Sequence, residues 1–263
     1  MKVHAAQLDQ VWEDKEANYA KAERMLAEAK PEPGDLFVLP ETFPTCFSMN
    51  AALTTADEPA KTETFLATLA RRHEVWLTAG MTAPTDSSDD KPRNLSVTFN
   101  PEGERAGRYA KLHPAAIYRE HESYGAGEEV VTFPLAGFTA CPFICYDLRF
   151  PEIFRIGARK GADLFLVIAN WPAVRIDHWF TLLKTRAIEN LAYVVGVNRT
   201  GKDPALEYCG RSVIFDPKGA LLAEAGDAEC VISAEIDLAR VSAWRKQFPV
   251  LDHARKEFEP GAT

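Results

Sequence analysis

Two stretches of this chain, "DLFVLP" (35–40) and "ADLFLVIA" (162–169), are apolar at almost every position and share an Asp-Leu-Phe start 128 residues apart. A strand with one wet face alternates apolar and polar residues, whereas an unbroken apolar run needs cover on both faces. Each run joins a Gly-containing turn and follows a helix-like stretch, "ANYAKAERMLAEAK" (17–30) in one case and "EIFRIGARK" (152–160) in the other. A second pair of echoes, "SVTFNPEGE" (96–104) and "SVIFDPKGA" (212–220), lies 116 residues apart. In both, alternating apolar residues run into an Asn/Asp-Pro-x-Gly hairpin turn. The chain therefore reads as two β/α halves split near residue 130.

Strands are expected at 2–8, 35–40, 75–80, 94–100, 105–110, 137–145, 163–169, 192–198, 210–216, 220–224 and 229–236. Helices are expected at 15–30, 59–73, 151–160 and 175–190. Sheets covered by helices on one side and by each other on the second side give a four-layer α-β-β-α sandwich with internal pseudo-duplication. Residues 1–263 are expected to form a single domain of two pseudo-repeats. The segment 82–94 is expected to be a flexible loop. The polar tail from about 244, with one aromatic per turn, is expected to pack against a partner subunit.

At 263 residues, 46% hydrophobic and 26% charged, the composition is that of an ordinary soluble globule. No stretch approaches the roughly 20 apolar residues of a membrane span, and the first residues lack the apolar core of a secretory signal. A formal net charge of -8 argues against nucleic acid as a partner. The five cysteines, at 46, 141, 145, 209 and 230, lack disulfide-framework or zinc spacing. Reduced thiols fit a cytoplasmic protein.

One thiol stands apart. In "FICYDLRFPE" (143–152) the apolar run stops at Cys145 and charges begin at once. A cysteine in such a run is ordinarily a small buried hydrophobe; at a strand end it can be a nucleophile presented to a cleft. Such a thiol needs a base, and a cation or N–H donors for the oxyanion. Glu41 closes "DLFVLPE" and Lys111 closes "GERAGRYAK", so three strands end in a carboxylate, an ammonium and a thiol, at the positions where open α/β sheets form clefts. Taken singly, each is ordinarily a solvated or core residue.

Three motifs in order, "LPETF" with Glu41, "YAKLHPA" with Lys111 and "CYDLRFPE" with Cys145, resemble those of the nitrilase, or carbon–nitrogen hydrolase, superfamily. "ANWP" (169–172), "TRAIEN" (185–190) and "GRSVIFDPKG" (210–219) extend the resemblance over nearly the whole chain, and the wording is most similar to the omega-amidase branch. The resemblance implies Glu41 as general base, Lys111 as electrostatic stabiliser and Cys145 as nucleophile, and Glu120 matches the family's second glutamate. It implies hydrolysis of the terminal amide of a small dicarboxylic monoamide, such as 2-oxoglutaramate or 2-oxosuccinamate, through a thioester. No cofactor or metal is required, and a homodimer is expected.

A Lys111 ammonium near the thiol favours the thiolate, and the backbone N–H of Tyr146 can share the oxyanion with it. Trp171 and Arg175 follow the strand ending at Asn170 and are expected to line the pocket, Arg175 receiving a substrate carboxylate. Arg149 and Glu152 are read as locking the start of the next helix, Arg186 and Glu189 as a salt bridge or a subunit contact, and Cys46 as a loop residue. The competing readings are a Cys-His hydrolase using His113 or His178, a non-catalytic binding protein on the same sandwich, and nitrilase or carbamoylase chemistry within the superfamily.

Overall fold

The computed structural model describes residues 1–56, 61–84 and 91–255. Its strands are β1 (Lys2–Gln7), β2 (Leu36–Val38), β3 (Trp76–Ala83), β4 (Arg93–Phe99), β5 (Arg105–Ala110), β6 (Phe133–Leu135), β7 (Phe138–Ile144), β8 (Leu164–Ala169), β9 (Tyr193–Asn198), β10 (Thr200–Lys202), β11 (Glu207–Cys209), β12 (Val213–Phe215), β13 (Leu221–Glu224) and β14 (Cys230–Glu235). The helices are α1 (Lys15–Ala29), α2 (Ala51–Thr54), α3 (Lys61–His73), α4 (Glu120–Ser123), α5 (Pro151–Arg159), α6 (Ile176–Asn190) and α7 (Leu238–Gln247).

Two six-stranded sheets carry the same plan. One runs β14-β1-β2-β3-β4-β5 and the other, read from its opposite end, β6-β7-β8-β9-β12-β13. In each, three parallel strands (β1, β2 and β3; β7, β8 and β9) are flanked by an antiparallel hairpin on one side and one antiparallel strand on the other. The sequence echoes mark equivalent places, β2 with β8 and the β4–β5 hairpin with β12–β13. The duplication is thus present in the topology.

Strand β2 explains the unbroken apolar run. Leu36 and Val38 enter the cluster between the sheets with Leu166, Ile168 and Val195, while Phe37 and Leu39 face Tyr19 and Leu26 of α1 and Leu66 and Leu69 of α3. Burying each such side chain stabilises the fold by roughly 1.5–3 kcal/mol. Helices α5 and α6 cover the outer face of the second sheet, giving the four layers.

The differences from expectation lie at short elements. β6 contains Pro134, tolerated because it is an edge strand, and β10–β11 is a three-residue hairpin turning outside both sheets. The strand expected at 137–145 ends at Ile144, where the chain turns into a 3-10 helix. Helix α6 starts at Ile176, after a 3-10 turn at Ala173–Arg175. Of the segment read as a loop, 82–83 belongs to β3 and 93–94 to β4, while 85–90 lies outside the described residues, as do 59–60 and 256–263. The tail is partly helix: α7 buries Val241 and docks through Arg245 onto the carbonyls of Ala162 and Leu191 within the same chain. No described helix is long and apolar enough to cross a membrane.

Candidate active site

Cys145 is the first residue after β7 and opens the 3-10 helix Cys145–Arg149, with φ at +47°. A non-glycine residue in this left-handed region is strained, and the strain persists only where the surroundings hold it. Here the holder is the buried Asp147. One of its oxygens accepts from Ile144 N (3.1 Å) and Tyr109 Oη (2.7 Å), the other from His113 N (3.0 Å), with His113 Nδ1 at 2.9 Å. His113 also stacks on Phe150 with centroids 3.7 Å apart. It is therefore engaged with the elbow and not with the thiol. His178 lies against Arg149 instead, with 3.3 Å between Nδ1 and Nη1. The Cys145 thiol points at the carbonyl of Asn170, 3.8 Å away. A Cys-His arrangement is not assembled.

Glu41 and Lys111 meet as the strand-end argument requires, and Glu120 joins them. Lys111 Nζ donates to Glu41 Oε1 at 2.9 Å and to both oxygens of Glu120, at 3.1 and 2.8 Å. All three are buried at 1% exposure or less, so the cluster has no solvent to screen it. Glu41 Oε2 accepts from the backbone N of Asn170 at 2.7 Å, and Ala115 N closes on Glu120 Oε2 at 2.5 Å. Glu41 follows β2 at a place where β3 comes very close: a Cβ on Gly80 would lie 2.5 Å from Glu41 Cα. The absence of a side chain at residue 80 is what lets the carboxylate sit here.

Burial opposes the Lys111 charge, but the carboxylates of Glu120 and Glu41 outweigh it and hold the ammonium pKa well above its ordinary value. Burial raises the Glu120 pKa, with Lys111 opposing and Glu41 adding to the rise. Burial, then Glu41, pushes the Cys145 thiol well above its ordinary pKa despite Lys111. The Lys111 ammonium does favour the thiolate, as expected, but burial and Glu41 outweigh it. The resting thiol keeps its proton, and a base must take it during attack.

The remaining expected residues, Tyr146, Trp171 and Arg175, are linked to one another through Arg149 and Tyr118. Tyr146 is half-buried; Trp171 is buried and donates through Nε1 to Arg175 O at 2.8 Å. Arg175 reaches Tyr118 Oη at 2.9 Å, and the Tyr118 ring is edge-on to Phe47, over which Lys111 Nζ sits at 5.1 Å. Arg149 departs from its expected role. Its guanidinium lies over Trp171 (4.7 Å) and Tyr146 (5.9 Å) and makes no ion pair with Glu152, which is exposed on α5. Burial pushes the Tyr118 hydroxyl above its ordinary pKa, against the opposing charges of Arg175 and Arg149. Among the described residues neither has a carboxylate partner. Arg186 does pair with Glu189 at 2.9 Å and ties α6 to the elbow through Leu148 O at 2.7 Å. Cys46 is buried, away from that ion cluster's hydrogen bonds.

Asn94, Asn170 and Tyr118 are the site residues that sequence reasoning did not single out, and Arg149 is one it read in another role. Asn170 had a legible signal, since it directly follows β8, as Glu41 follows the pseudo-symmetric counterpart β2. Asn94 had none, being one polar residue in an otherwise ordinary strand. Among the described residues, no group of three or more His, Cys, Asp and Glu side chains is disposed to hold a metal ion.

Comparison with known proteins accounts for this assembly. The profile described as carbon-nitrogen hydrolase matches residues 2–246. The chain is 38% identical to a 2-oxoglutaramate amidase of Bacillus subtilis, across 91% of this chain and 92% of that protein. It is 37% identical to an omega-amidase of Yersinia enterocolitica, over 97% of each. Among solved structures, a CN-hydrolase superfamily protein of Xanthomonas campestris bearing an arsenic adduct in its active site superposes with a TM-score of 0.89 at 31% identity, over 97% of both chains. Nit3 of Saccharomyces cerevisiae, a nitrilase-superfamily member, superposes with a TM-score of 0.85 at 29% identity, covering 95% of this chain and 94% of that one.

Proposed function

This chain belongs to the carbon–nitrogen hydrolase family, and from that premise we propose that it is a thiol omega-amidase releasing ammonia from small dicarboxylic monoamides of the 2-oxoglutaramate or 2-oxosuccinamate type. The observation that carries this reading is the buried ion cluster in which Lys111 bridges Glu41 and Glu120 beside the Cys145 thiol. Relatives named 2-oxoglutaramate amidase and omega-amidase support the substrate class. Two guanidiniums, Arg149 and Arg175, that have no carboxylate partner among the described residues support an anionic substrate.

Glu41 takes the Cys145 proton as Sγ bonds to the amide carbon, and the carbonyl becomes an oxyanion held by Lys111 Nζ and the N–H of Tyr146. The latter lies in the first turn of a 3-10 helix, where N–H groups lack an intrahelical partner. Glu41 then returns the proton to nitrogen as the C–N bond breaks, ammonia leaves and a thioester remains. Water, losing its proton to Glu41, adds to the thioester with Glu120 positioning it. The C–S bond breaks and the thiol is re-formed. No step needs a metal or cofactor. Residues 1–263 act as a single unit of two pseudo-repeats, in the cytoplasm and as a homodimer; a light-scattering mass near the 29.2 kDa of one chain at micromolar concentration would contradict the dimer.

The decisive experiment measures ammonia release from 2-oxoglutaramate, glutamine and an aliphatic nitrile, with hydroxylamine added to trap the thioester. The first should be the best substrate, and the trap should yield its hydroxamate. A nitrile preferred over both amides, or no hydroxamate, removes the assignment.

A further inference from the structure

Glu41 and Glu120 share a second bridging donor besides Lys111. The side-chain amide of Asn94, 2% exposed, gives one N–H to Glu41 Oε1 at 2.8 Å and the other to Glu120 Oε1 at 2.9 Å. Its own oxygen has no hydrogen-bond partner among the described residues. The opposite flip of the amide would put that oxygen against both carboxylates, so the donors dictate the orientation. Position reinforces it: Asn94 lies on β4, and its carbonyl accepts from Lys111 N at 2.9 Å. The two donors are thereby anchored side by side, both aimed at the same pair of oxygens.

The charges show why a second donor matters. One ammonium faces two buried carboxylates, which leaves the ionised cluster with a net negative charge where water cannot reach. Hydrogen bonds to the ionised form favour it, and Asn94 supplies two without adding charge. The titratable groups facing Glu41 are Lys111, Glu120 and Cys145. If either carboxylate took up a proton from solvent, the base for the thiol or the holder of the water would be lost.

We propose that Asn94 is a positioning residue that holds Glu41 and Glu120 together as an ionised pair, fixing the pH range in which the base is available. The proposal rests on the reading of Glu41 as the base. Asn94→Asp is nearly isosteric but offers one donor when protonated and none when ionised. Its kcat should fall at least ~100-fold at pH 8, with partial recovery at acid pH. The descending limb of its profile should move down by at least about one pH unit. Alkylation of Cys145 by iodoacetamide should slow over the same range, because a third carboxylate further disfavours the thiolate.

Thermal melts and circular dichroism establish that the variant folds. Where it does not, Asn94→Ala decides, by an ascending limb of kcat/KM raised by at least about half a pH unit with KM changed less than about threefold. Profiles of the deciding variant that coincide with the parent overturn the proposal. Alkylation needs no amide, so a displaced alkylation profile with no ammonia from any amide would retain Asn94 and discard the proposed function.

Discussion

Tyr109 Oη donates to Asp147 at 2.7 Å, and this bond ties the strand that ends at Lys111 to the elbow that carries Cys145. Both residues are buried. A hydrogen bond to a buried carboxylate is worth about 1.5–3 kcal/mol. Tyr109→Phe should therefore lower unfolding free energy in urea by about that amount and lower kcat as well, since the elbow loses one support. Unchanged stability and turnover would show that the other Asp147 donors suffice.

The roles of the charged residues separate by substitution. Glu41→Gln and Lys111→Met should each cost at least ~100-fold in kcat with the fold retained, and Cys145→Ala should abolish turnover. Full activity in the cysteine variant removes the mechanism altogether.

Gly80→Ala should inactivate without touching a charged residue. The added Cβ meets Glu41 Cα and Thr42 N at 2.5 and 2.6 Å, backbone atoms that have little room to yield. Overpacking of this kind costs about 1–3 kcal/mol, and the base moves with it. Activity within a few-fold of the parent would mean that β3 shifts instead.

Arg149 and Arg175 should act on substrate charge. Arg149→Gln and Arg175→Gln should each lower kcat/KM at least ~10-fold for an anionic monoamide and much less for a neutral amide. Equal losses on both substrates would assign them to structure.

Alkaline pH should destabilise the protein. Burial pushes the Cys46 thiol up to about 11, against the opposing charge of Arg199, and pushes Cys141 and Cys145 up as well. These thiols stay neutral when folded but ionise near pH 8.5–9 when unfolded, so unfolding releases protons at higher pH. Stability is fully present below that range and falls as pH rises through it, with Cys46 contributing on the order of 2–3 kcal/mol by pH 11. Urea midpoints at pH 7.5 and 10 measure the slope. Cys46→Ala should flatten it, and an unaltered slope would clear Cys46 of that contribution.

The parts of the fold legible in the sequence were those written in long apolar runs. Both faces of "DLFVLP" are apolar because Leu36 and Val38 fill the space between the sheets while Phe37 and Leu39 meet α1 and α3. Glu41 and Cys145 were legible because each ends such a run, and Lys111 because it closes a hairpin strand. Arg149 was misread because helix-start charges ordinarily pair locally, whereas tertiary packing lays it on Trp171, 22 residues later in the chain. Asn94 was invisible because its importance depends wholly on Glu41 and Glu120, 53 and 26 residues away. The balance at Cys145 was illegible for a related reason: sequence shows which charge is near, but not how completely water is excluded.

Strand β14 pairs antiparallel with β1 from Lys2↔Glu235 to Gln7↔Cys230, so nearly the first and the last strands of the chain are neighbours. During synthesis the edge of β1 has no partner until residues 230–235 leave the ribosome, although the rest of that sheet and the second sheet's parallel core have already emerged. An unpaired strand edge invites association with other chains. The nascent chain thus passes most of its translation with the sheet bearing Glu41 and Lys111 open along one side, and release of stalled, late-truncated chains should produce aggregates where release a few residues further on produces enzyme.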